Sequence, residues 1–113
     1  AEDRANKLQL LTRDILKELP EICFDFMRAI DSTTQPLTRY AYAIDLKLFF
    51  SFLVHELPKF ADKDISELRP SDLARVTARD LYLYIEYLSL YFKDDVQITN
   101  ADLGKLRLVD ALF

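Results

Sequence analysis

Between Pro36 and Pro58 the chain carries no glycine and no further proline, and its apolar residues recur at helical spacing. Proline suits the first position of a helix and disfavours helical geometry in the residue before it. One long helix is therefore expected from about Pro36–Thr38 to Glu56 or Leu57. At about 100° per residue, Tyr42, Leu46, Phe49 and Leu53 fall in one narrow stripe, with Phe50 and Phe52 on either side. Tyr40, Ile44 and Leu48 lie roughly opposite. A helix apolar on two sides is either central to a bundle or covered on its second face, and the segment 1–19 is the candidate cover.

The rest of the chain reads as helix too. Leu8, Leu11, Ile15 and Leu19 recur at three to four residues and predict an amphipathic helix over 1–19. Pro20 interrupts it and suits the start of a second helix, in which Ile22, Cys23, Phe26, Met27 and Ile30 form the apolar stripe. Residues 32–36 form a polar loop, and Lys59 to Arg69 a charged connection. Pro70 to Leu73 opens a short helical turn running to Val76. Thr77 is a good N-cap with Asp80 three residues on, as in a capping box. The helix it starts places Leu81, Tyr84, Ile85, Leu88 and Tyr91 on one face. A last helix is expected from Ala101 or Asp102 to Phe113. No segment alternates as a strand would, so the fold is expected to be all-α, a small bundle of about four to five helices.

Composition narrows the function classes. The 113 residues suit one domain, able to bury a core of modest stability. The single glycine, Gly104, argues against phosphate-binding glycine loops and dinucleotide fingerprints. Cys23 is the only cysteine and His55 the only histidine, so neither a disulfide within the chain nor a zinc site can be assembled from them. Cys23 is expected in the core of its helix. The carboxylates lack EF-hand spacing, and no metal or cofactor is expected. No apolar run reaches the roughly 20 residues of a membrane span, and the charged start has no secretory core. A cytoplasmic protein away from membranes is the expectation.

The helix after Pro36 carries a third stripe, Arg39, Ala43 and Lys47, at i, i+4 and i+8. Two cations flanking a small residue let a helix approach a duplex closely. Thr38, at the helix entrance, can cap backbone N–H groups or stand where those groups meet a phosphate.

The spacing Thr-x-x-x-Tyr-x-x-Asp-Leu-x-x-Phe-x-x-Phe-Leu, at Thr38, Tyr42, Asp45, Leu46, Phe49, Phe52 and Leu53, resembles the signature helix of the N-terminal core-binding domain of tyrosine recombinases, the phage-integrase family. The resemblance covers residues 20–113. The preceding LPEICFDFMRAI is similar to that domain's first helix. In ISELRPSDLARVTARDLYLYIEYL, residues Val76, Thr77, Asp80, Leu81, Tyr84 and Ile85 match a later acidic helix. The ending NADLGKLRLVDALF is similar to the start of the domain's last helix, with Lys105 and Arg107 as its cations. The chain departs from the pattern in the extension of residues 1–19, in a longer insert around Arg69–Ala74, and in a last helix that stops early and is less basic.

The resemblance implies a SAM-like helical domain at 20–113, preceded by a helical extension at 1–19. It implies a DNA-binding domain that clamps the recombination site for DNA integration and recombination. Double-stranded DNA, a catalytic domain outside this sequence and other recombinase subunits in a synaptic tetramer would be its partners. The residues implied at the DNA are Thr38, Arg39, Ala43, Lys47, Lys105 and Arg107. None of the family's catalytic cluster of arginines, lysine, histidines and nucleophilic tyrosine is matched here, so no catalytic residue and no enzymatic activity of its own are expected. The net charge of −4 gives little of the positive field DNA attracts, and the clamp partner would supply it. The competing expectation is a helical protein-interaction module without DNA affinity, suggested by the doubly apolar helix and by Tyr82 and Tyr87, which fall off the core stripe of their helix. A free-standing enzyme is the least favoured expectation, for want of histidine pairs, glycine loops and a clustered nucleophile.

Overall fold

A computed structural model describes residues 2–92 of the chain, and the side chains of 3–90. The described residues form five α-helices and three 3₁₀ turns, with no strand, as the sequence predicts. They fall into two compact units, which divide between Arg69 and Pro70. The last helix expected from Ala101 or Asp102, together with Lys105 and Arg107, lies outside the described residues.

The first unit is built on α1 (Glu2–Leu16), α2 (Glu21–Ile30) and α3 (Pro36–Glu56). Helix α3 starts with proline at its first turn. It ends where Leu57 turns extended, φ −101° and ψ 120°, because Pro58 follows. Leu46, Phe49, Phe50 and Leu53 are wholly buried, with Phe49 and Phe50 packed edge to face at 5.3 Å between ring centres. Tyr42, expected beside them, is half-buried. Cys23 and Met27 of α2 are buried, and Pro20 caps that helix from inside the core.

Helix α1 packs along α3. Its buried face is turned by about one residue from the stripe the sequence suggests. Thr12, Leu16 and Leu19 are buried, whereas Leu11 is exposed. Thr12 enters the interior because its hydroxyl donates to the Leu8 carbonyl at 2.8 Å, leaving its methyl to pack. The segment after α3 is also less loop-like than its charge suggests. The 3₁₀ turns Pro58–Phe60 and Ile65–Glu67 bury Phe60 and bring Leu68 inside.

The second unit holds α4 (Pro70–Leu73) and α5 (Ala78–Phe92). The expected capping box is present. The Thr77 N–H donates to Asp80 Oδ2 at 2.9 Å, and the Asp80 N–H donates to Thr77 Oγ1 at 3.2 Å. Along α5, Tyr84, Ile85 and Leu88 are buried and Leu81 is half-buried, as their spacing predicts.

Candidate nucleic-acid interface

The stripe Arg39–Ala43–Lys47 is not as a whole a surface open to a duplex. Ala43 is fully buried. A small residue there lets α1 come close to the α3 backbone, which is the close approach the sequence assigns to DNA. Ala43 is thus corrected from a DNA-facing position to a packing position.

Arg39 is tied into the fold. Its Nη1 donates to the Asp31 carbonyl at 2.9 Å, to the Thr34 carbonyl, and to Thr34 Oγ1 at 3.2 Å. Its Nε stands 3.5 Å from Asp31 Oδ1, and only 11% of the side chain is exposed. Thr34 in turn donates its hydroxyl proton to the Ile30 carbonyl at 2.6 Å. The guanidinium therefore closes the end of α2 and the following 3₁₀ turn, Asp31–Thr33, onto the first turns of α3. Carbonyls left over at the end of a helix need such donors.

Lys47 remains at the surface. Its Nζ lies 2.8 Å from Glu18 Oε2, with 46% and 60% of the two side chains exposed. An exposed pair of this kind is worth at most about 1 kcal/mol and exchanges readily with other anions. Thr38 is half-buried in the first turn of α3. The N-cap residue there, Gln35, makes no side-chain cap, so no side chain takes up the first-turn N–H groups.

The second apolar side of α3 stays open. Leu37 is 52% and Ile44 43% exposed, and Tyr40 and Leu48 are half-exposed. Helix α1 was the expected cover for this face, but it lies on the Ala43 side instead. In the second unit, Tyr82 and Leu90 are exposed as well, while Tyr87 is half-buried.

A cleft of about 470 Å³ opens in the first unit, where α1, α2 and the start of α3 converge. Arg13, Arg28 and Arg39 line it, each from a different helix, together with Asp31. Leu16, Phe24, Met27 and Pro36 give it an apolar floor. Sequence reasoning misses this cluster because its arginines are far apart in the chain and share no motif.

The Cys23 thiol is buried, and desolvation pushes its pKa up to about 12, which keeps it protonated. His55 is exposed in the last turn of α3. Among the described residues no group of three His, Cys, Asp or Glu is placed to hold a metal, and no helix is long and apolar enough to cross a membrane. No protein-family model, curated protein or solved structure matches the chain.

Proposed function

We propose that this chain is a DNA-binding domain of the tyrosine-recombinase type, which holds a duplex for a catalytic domain outside this sequence. The observation that supports the reading is how the signature spacing divides on α3. Its apolar members Leu46, Phe49, Phe52 and Leu53 are core. Its polar member Thr38 stands in the first turn, where no side chain caps the N–H groups. A helix start with unfilled donors and a hydroxyl is a good phosphate contact. Lys47, further along α3 and held only by an exposed pair, is the cation that adds to it. In this reading Arg39 and Ala43 shape the domain and leave phosphate contact to other residues. With so few cations, binding is weak and fades as salt rises.

Fluorescence anisotropy of a labelled generic duplex, titrated with the protein at low and then moderate salt, tests this. Saturable binding at low salt that fades as salt rises is the expected result. No binding at low salt and high protein concentration contradicts it.

The open face of Leu37, Tyr40, Ile44 and Leu48 favours a second reading, a helical module that binds another protein. Concentration-dependent self-association without any duplex binding would select it over the first.

A further inference from the structure

The cleft at the meeting of α1, α2 and α3 has a composition that neither the core nor a solvated surface requires. Its size falls within the range of roughly 300–1,000 Å³ typical of small-ligand sites. Of its three arginines, Arg39 is committed to Asp31 and Thr34, so its charge is largely offset within the fold. Arg13 and Arg28 are different. Both are exposed, they stand on α1 and α2 at the same cleft, and neither side chain has an ion pair or hydrogen bond among the described residues. Two uncompensated guanidinium groups thus border a floor made of Leu16, Phe24, Met27 and Pro36.

We infer that this cleft binds a small organic anion, with a phosphate or carboxylate held by Arg13 and Arg28 and an apolar body seated on Leu16, Phe24 and Met27. Guanidinium presents paired donors that match both anionic groups, and each such bond is charge-assisted. Gln9, on the same wall as Arg13, adds an amide able to donate to the ligand. Thr12 contributes mainly its methyl, since its hydroxyl proton goes to the Leu8 carbonyl. The apolar floor separates this site from a simple phosphate contact, because a duplex backbone offers nothing to cover Phe24 or Met27. The inference is independent of the DNA reading and uses none of the residues assigned to it.

Phenyl phosphate is the first probe, titrated into the whole chain by calorimetry or amide shifts, with inorganic phosphate as the comparison. Phenyl phosphate is expected to bind roughly tenfold tighter than inorganic phosphate, because only it covers the floor. Arg13→Gln and Arg28→Gln, both at exposed positions that leave the fold intact, are each expected to weaken it roughly five- to tenfold. Equal affinity for the two phosphates, or affinity unchanged in both variants, overturns the proposal. Displacement of phenyl phosphate by a generic duplex also overturns it, since the cleft would then belong to the DNA face.

Discussion

The guanidinium of Arg39 donates to both the carbonyl and the hydroxyl oxygen of Thr34, five residues earlier, and so ties the α2–α3 turn to the helix that follows it. A cation that looks from its spacing like a contact for DNA is thereby part of the scaffold. Arg39→Ala is expected to destabilise the domain by roughly 1.5–3 kcal/mol, the range for bonds from a charged donor. Urea denaturation reads this directly. Arg39→Lys should recover only part of the loss, because one ammonium cannot span Asp31 and Thr34 as the planar fork does.

Lys47 and Glu18 are expected to act with opposite signs on duplex affinity and hardly at all on stability. Their exposed pair contributes at most about 1 kcal/mol, so Lys47→Gln should leave the urea midpoint nearly unchanged. On the proposed function, the same substitution lowers duplex affinity and reduces the salt slope by about one unit. Glu18→Gln releases the lysine and raises affinity. Anisotropy titrations of the two variants across salt check both signs.

Thr77 and Asp80 carry the start of α5 by a reciprocal pair of bonds. Thr77→Ala is expected to cost about 1 kcal/mol, and Thr77→Ser much less, since serine keeps the acceptor. Asp80 is itself buried, so Asp80→Ala should cost more than Thr77→Ala. Thermal unfolding followed by circular dichroism ranks the three.

These cases show what kinds of structure the sequence makes legible. The capping box was readable because its two partners are three residues apart and need only a helix to meet. The ends of α3 were readable because Pro36 and Pro58 act on their own neighbours. Along α5, the burial of Tyr84, Ile85 and Leu88 followed from spacing alone. What the spacing does not show depends mostly on another element. Ala43 is buried in a helix that α1 packs along, and nothing in the residues around position 43 specifies which of its faces is covered. Leu11 falls on the apolar stripe yet is exposed, while Thr12, off that stripe, is buried with its hydroxyl on the Leu8 carbonyl. The part Arg39 plays in the fold is not legible because its acceptors, the Asp31 and Thr34 carbonyls, the Thr34 hydroxyl and the Asp31 carboxylate, come together only once the turn has formed. Phe60 sits in a stretch whose charges suggest solvent, and two short turns bury it.

Cys23 is expected to be inert to thiol reagents in the folded chain and to react only on unfolding. Burial pushes its thiol pKa from an ordinary 9.0 up to about 12, so the reactive thiolate is much scarcer at any pH below both values. A thiol that holds its proton more tightly when folded favours the fold while it is protonated. That contribution is complete below pH 9 and is lost as the pH rises through about 12. Stability measured across the alkaline range should therefore fall, with a smaller fall in Cys23→Ala than in the parent. Labelling rates with and without denaturant check the first point.

The most direct test is an amide-shift titration of the chain with a generic duplex, run at low salt and repeated at high salt. Salt-sensitive shifts clustered at Leu37, Thr38 and Lys47, with Ala43 silent, are the predicted result. Shifts spread evenly over the chain, or none at low salt, would contradict DNA binding through the start of α3.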